Sequence, residues 1–153
     1  MIEKNLSMNP QFQTEGSKIS EMQMDTLFQE AQKIANMAYA PYSNFRVGAA
    51  LLCEDGKIVT GVNVENRSFG LTTCAERNSI TTAAALGYRY FIAIAVSTPD
   101  SEEPTGPCGA CRQVLSEFMP PEAPVRFAGK GAKQVNTSVG ELYPLDSLHE
   151  LRR

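Results

Sequence analysis

A chain of 153 residues, 42% hydrophobic and 20% charged, is long enough to bury one globular core and reads as a single domain rather than several. A formal charge of −3 without any lysine or arginine run argues against a nucleic-acid backbone as the main partner. The longest apolar runs fall short of the roughly 18 residues that a membrane span needs, and the polar stretch 1–20 does not read as a signal peptide, so the four cysteines are expected reduced, in the cytoplasm, and available to a metal.

Residues 1–20 carry Asn, Gln, Ser, Gly and Pro without apolar periodicity and read as a flexible N-terminal arm, leaving 21–153 as the domain. Leu27, Ala31, Ile34, Ala35 and Ala38 recur at helical spacing and predict a helix over about 25–39, stopped before Pro41. Phe45 to Cys53 reads as a strand. Glu54-Asp55-Gly56-Lys57 reads as a hairpin turn, with Gly56 free to take positive φ. Ile58 to Val64 is the partner strand, which puts Asn63 and Glu65 on one face at its end.

A loop, Asn66 to Thr73, leads to a helix over Cys74 to Leu86 that Gly87 terminates. Phe91 to Ser97 is an uncharged run, as in a strand buried on both faces. An acidic, proline-punctuated loop, Thr98 to Gly106, precedes a helix over Cys108 to Met119, which Pro120-Pro121 ends. Short strands are expected at Val125 to Ala128 and Lys133 to Thr137, with a short helix at Val139 to Tyr143. The order implies an α/β layer fold with a mixed sheet.

Two motifs carry the chemistry: Cys74-Ala75-Glu76-Arg77 and Pro107-Cys108-Gly109-Ala110-Cys111-Arg112-Gln113. Cys108 and Cys111, one turn apart at a helix N-terminus, can grip one tetrahedral ion, and the helix dipole favours their thiolates. Cys74, at a second helix start, can supply a third ligand. Three protein ligands leave the fourth zinc position open, the pattern of a catalytic site, where the pKa of water falls towards ~7. Glu76 alone would read as an ordinary first-turn acid; beside the CxxC pair it reads as a proton carrier that does not ligate. Three thiolates leave zinc with excess negative charge, which donors from Arg77 and Gln113 would offset. Cys53 reads as a small core residue and His149, the only histidine, as a surface residue.

With these residues stand Tyr42-Ser43-Asn44-Phe45-Arg46-Val47-Gly48-Ala49-Ala50 and Gly61-Val62-Asn63-Val64-Glu65-Asn66. Four separated motifs in this order closely resemble the small, homotetrameric, zinc-dependent cytidine deaminases, over about residues 25–144. The resemblance implies a three-layer α/β/α sandwich with a five-stranded mixed sheet. It implies hydrolysis of cytidine and deoxycytidine to uridine and deoxyuridine in pyrimidine salvage, one Zn²⁺ per subunit, and a small-molecule nucleoside as substrate with neither nucleic acid nor membrane as partner. Cys74, Cys108 and Cys111 would then be the ligands and Glu76 the proton shuttle. Asn63 and Glu65 would hold the ribose hydroxyls, Phe45 would stack on the pyrimidine, and the Ala75 backbone would contact the base, with Arg77 and Gln113 tuning the thiolates. The chain departs from the family at Gly106, where Ser or Thr is common, and after Pro144, where the usual aromatic residue is missing. Competing readings are a deaminase of a modified cytosine nucleoside of the blasticidin type and a non-enzymatic zinc module. The latter needs a fourth protein ligand that neither Cys53 nor His149 is well placed to give.

Overall fold

The computed structural model describes residues 18–148 and Leu151. Most of the expected arm and His149 therefore lie outside the described residues. The elements run α1 (Glu21–Ala35), β1 (Gly48–Cys53), β2 (Ile58–Val62), α2 (Ala75–Ala85), β3 (Phe91–Ser97), α3 (Gly109–Phe118), β4 (Pro124–Ala128), β5 (Gln134–Ser138) and α4 (Val139–Leu142). A single 3₁₀ turn, Phe69–Leu71, interrupts the loop before α2.

Helix α1 begins one turn earlier than its apolar period predicts. Ser20 and Gln23 form a reciprocal capping box that satisfies two of the free N–H groups of the first turn. The helix also ends earlier, because the backbone of Tyr39 is committed elsewhere: its N–H donates to Asn63 O at 3.1 Å and its carbonyl accepts from Glu65 N at 2.8 Å. Similarly, β1 starts at Gly48 rather than Phe45, and β2 ends at Val62 rather than Val64. Val64 makes only isolated bridges, to Tyr39 and Thr73.

The five strands form one sheet in the order β2-β1-β3-β4-β5. Only β3 and β4 run parallel; the other neighbours are antiparallel, so the sheet is mixed as expected. Alternation along β1 splits the core in two. Ala50 and Leu52 point with Ala93 and Ala95 towards Met24, Leu27 and Ala31 of α1. Ala49, Leu51 and Cys53 point with Ile94 and Val96 towards Ile80 and Ala83 of α2 and Leu115 of α3. Helix layers thus cover both faces of the sheet. Cys53 is fully buried, the core residue it was read as, and desolvation pushes its thiol up to about 12.

Two glycines set how closely helices approach the sheet. A Cβ at Gly48 would lie 2.1 Å from the carbonyl oxygen of Ala31, and one at Gly61 would lie 2.3 Å from the amide nitrogen of Ser79. Any side chain there would push α1 or α2 off its strand. Gly61 therefore fixes the height of the helix that carries Cys74 and Glu76.

Arg126 breaks the apolar rule in the middle of β4. Its side chain is 1% exposed. It donates to Asn136 Oδ1 at 2.6 Å, to Asp25 Oδ1 at 2.5 Å, and to Glu21. The two acids, four apart on α1, reach in from solvent. Truncating both leaves a buried guanidinium with only Asn136, so Glu21→Ala/Asp25→Ala should lose roughly 2 kcal/mol of stability, less than a fully buried pair because the acids are exposed. Urea denaturation measures it; an unchanged midpoint would show that water replaces the acids.

Candidate metal and nucleoside site

Cys74 and Cys108 are not the first residues of their helices but their N-caps. Their φ/ψ values are extended (−70°/156° and −68°/168°), and neither uses its side chain to cap the helix. Both thiols are left for other partners. Cys111 sits one turn into α3 and is buried. The two helix N-termini converge, with Cys74 Sγ 3.8 Å from Cys108 Sγ and all three sulfurs within 4.8 Å of one another. Tetrahedral zinc with Zn–S bonds of about 2.3 Å has S···S edges of about 3.8 Å. The donor type and spacing both fit that ion. Among the described residues this is the group of three that could hold a metal.

Arg77 donates from Nη2 to Cys74 Sγ at 3.4 Å, and its buried Nε has no hydrogen-bond partner. A guanidinium placed this way is set against thiolate charge. The neighbouring Cys111 thiol, with Arg77, pulls Cys74 below the usual thiol range, while Cys74 and burial push Cys111 above it. Gln113 does not follow its expected course. Its Oε1 accepts from Tyr143 Oη at 2.8 Å and its Nε2 donates to Ser116 Oγ at 3.3 Å. Through Tyr143 it braces α3 against the segment after α4.

Glu76 lies in the first turn of α2 and is 4% exposed. Burial, opposed by its own backbone N–H, raises its carboxyl to about 7. In the metal-free protein the folded group therefore keeps its proton to about 7, whereas an unfolded glutamate keeps it to about 4.3. The stability that the neutral form contributes is complete below about 4.3 and is lost as pH rises through about 7, by on the order of 3 kcal/mol. Cys74, lowered in the folded protein, works in the opposite sense, so the readout is the difference between wild type and Glu76→Gln: in urea denaturation of chelator-treated protein the wild type should lose stability relative to the variant between about pH 5 and about pH 8. A variant that keeps the full pH slope would assign the slope to another group.

A cavity of about 380 Å³ opens in front of these groups, lined by Ser43, Phe45, Val47, Asn63, Glu65, Thr72, Cys74, Glu76, Thr98, Thr105, Gly106 and Cys108, among others. Phe45, Asn63, Glu65 and Glu76, expected together, thus share one space with two of the three cysteines. Ala75 is buried between Cys74 and Glu76, and its side chain belongs to the core. A Cβ at Gly106 would lie 3.0 Å from Phe127 Cζ, so the Phe127 ring occupies the room that a side chain at 106 would need. Val47, Thr72, Thr98 and Thr105 were not singled out from the sequence. The threonines lack a local signal; Val47, between Phe45 and Gly48 in an apolar run, looked like core.

Asn63 and Glu65 do more than face the cavity. Asn63 Nδ2 donates to Phe45 O at 2.8 Å and its Oδ1 accepts from Val47 N at 2.8 Å. Glu65 Oε2 accepts from Tyr42 N at 2.9 Å and Ser43 N at 3.2 Å, and Oε1 accepts from Ser43 Oγ. The Ser43 hydroxyl, with these amides, lowers the Glu65 carboxyl below its usual range. The pair therefore holds the segment that presents Phe45. Each side chain keeps spare capacity: one N–H and a lone pair on Asn63, and lone pairs on Glu65.

The family model for the cytidine and deoxycytidylate deaminase zinc-binding region matches residues 22–126. The chain is 45% identical over 123 residues to a cytidine deaminase of Sporosarcina psychrophila, covering 80% of this chain and 90% of that one. It is 44% identical over 123 residues to a cytidine deaminase of Halalkalibacterium halodurans, covering 80% and 92%. Among solved structures, it is similar to the cytidine deaminase from Burkholderia pseudomallei with a TM-score of 0.75 and 46% identity, over 79% of this chain and 96% of that chain.

Proposed function

The chain belongs to the cytidine and deoxycytidylate deaminase family, and from that premise we propose that it hydrolyses cytidine and deoxycytidine to uridine and deoxyuridine, releasing ammonia. The observation that carries this is the meeting of three thiols and a buried, easily protonated Glu76 at the end of a nucleoside-sized cavity. Cys74, Cys108 and Cys111 hold zinc, which when bound supplies an acidified water and Lewis-acid pull. Glu76 moves the protons. It takes one from the attacking water, gives it to ring N3 as C4 is attacked, and delivers the second to the departing amino group. One water is consumed and one ammonia leaves, so the balance closes. The carboxyl is suited to this because its pKa lies near the working pH.

Phe45 stacks on the pyrimidine and Ala75 offers its backbone to the base. Asn63 and Glu65 hold the ribose hydroxyls with the hydrogen-bonding capacity that the 42–47 segment leaves free. Intact Asn63 and Glu65 favour a plain nucleoside over a blasticidin-type analogue. Arg77 offsets thiolate charge. We further place the enzyme in cytoplasmic pyrimidine salvage, as a homotetramer with one zinc per subunit. Support for assembly comes from an exposed apolar group beside the cavity: Tyr39, Tyr42, Val64, Phe69 and Leu71, with Phe69 74% exposed. No helix among the described residues is long and apolar enough to cross a membrane.

The test is absorbance-monitored loss of cytidine, deoxycytidine and a blasticidin-type analogue, with zinc measured on the same sample. Turnover of the first two with about one zinc per chain is the expected result. Turnover of the analogue alone would overturn the substrate assignment.

A further inference from the structure

We propose that Arg46 and Asp100 form a positioning clamp that sets the width of the nucleoside cavity, and through it KM; the inference rests on the deaminase reading above. Arg46 stands between Phe45 and Val47, which line one side of the cavity. Asp100 lies two residues after Thr98, at the start of the loop that continues through Thr105 and Gly106 on the other side. The pair joins these two sides. Arg46 donates its backbone N–H to Asp100 Oδ2 at 2.8 Å, its Nε to the same oxygen at 3.0 Å, and its Nη2 to Oδ1 at 2.7 Å. Nη1 reaches Asn36 Oδ1 at 3.1 Å, at the end of α1. A two-pronged charged fork with a main-chain bond fixes direction as well as distance. It therefore orients the backbone from which Phe45 projects.

The loop is anchored independently on its outer side. Thr98 N donates to Ala128 O at 3.0 Å and Lys130 N donates to Ser101 O at 2.8 Å. Lys130 pairs with Glu102, and Lys133 with Glu103. A Cβ at Gly129 would lie 2.2 Å from Ser101 O, so the two loops are in backbone contact. Cutting the clamp thus leaves the loop in place and leaves the Phe45 side held by Asn63 and Glu65, without its tie across the cavity. Neither partner reaches the reacting groups, and the side chains are 41% and 26% exposed. Exposed pairs add little to global stability. Position and stability are separable here, and so are the predicted effects. Helix α2, which carries Glu76, touches neither partner in this network, so the chemical step should be spared.

Salt gives a second readout. Cytidine is uncharged, so a salt-dependent KM has to come from charges within the protein. The experiment compares the zinc-loaded wild type with Arg46→Met, Asp100→Ala, the double variant and Arg46→Lys. It records kcat, KM, Tm and zinc content, at about 0.05 M and about 0.5 M salt. Each single variant should raise KM about 5-fold, the upper range for an exposed pair. The double variant should add nothing further, because the pair acts as a unit. kcat, Tm and zinc should hold, and Arg46→Lys, with charge but no fork, should recover part of the loss. Wild-type KM should rise with salt, and KM of the Met and Ala variants should not. Unchanged KM in the single variants, additive losses, or a fall in kcat with zinc or Tm would overturn the clamp. An inactive wild type would instead overturn the deaminase reading on which it rests.

Discussion

Glu76→Gln should bind zinc and fold as the wild type does, yet lose about 10³-fold in kcat, the middle of the range for a positioned acid-base group. Glutamine has nearly the same shape and can keep a hydrogen bond to a ring nitrogen. It cannot accept a proton from water and hand it on. The burial that raises the carboxyl to about 7 is what makes both directions of transfer accessible near neutral pH. Substrate contacts at Phe45, Asn63 and Glu65 are untouched, so KM should move little. A variant within tenfold of wild-type kcat would remove Glu76 from the proton path. In the metal-free protein the same variant should lack the share of the pH dependence of stability that Glu76 contributes, which separates the loss of a titrating group from misfolding.

Cys111→Ala should abolish zinc binding at micromolar metal and, with it, turnover. Losing a mere supporting partner of a metal ligand costs about 10–100-fold in affinity. Removing one of three protein ligands should exceed that, because the remaining thiols, Cys74 and Cys108, belong to different helices. Cys111 is also the buried sulfur, and its raised pKa means that metal has to displace its proton. Zinc affinity in the wild type should therefore weaken as pH falls. Competition with a chromophoric chelator measures both effects. Zinc retained at full stoichiometry in Cys111→Ala would call for a different ligand set.

What could be read from the sequence followed from local rules. Cys108 and Cys111 sit one helical turn apart, and a glycine- and proline-marked loop before them announces a helix start. The buried strand Phe91–Ser97 was legible from its uncharged run and met its expected bounds. Apart from one local helix cap, the misses come from contact across long separations. Ser20 reads as the end of the polar arm because its capping box with Gln23 only becomes evident once the helix is in place. Nothing local in the expected strand Val125 to Ala128 marks Arg126 for burial; Glu21 and Asp25 are brought to it from about a hundred residues away. Asn63 and Glu65 read as a ligand pair, and their second task, holding residues 42–47, depends on pairing with a segment that precedes the hairpin. Gln113 has a partner that the motif does not announce, because Tyr143 arrives from beyond α4.

The two N-cap cysteines carry a consequence for folding. A serine or aspartate in either position would close its own helix end, at a typical contribution of about 1 kcal/mol. Cys74 and Cys108 make no such bond. Helices α2 and α3 thus begin without the usual local stop, at the point where both dipoles point towards the sulfurs. What favours those ends is the negative charge of the thiolates, not the cation that the thiolates would hold. Two ordinary helix stops are given up so that the positive ends of both helices face the sulfurs that would hold a metal.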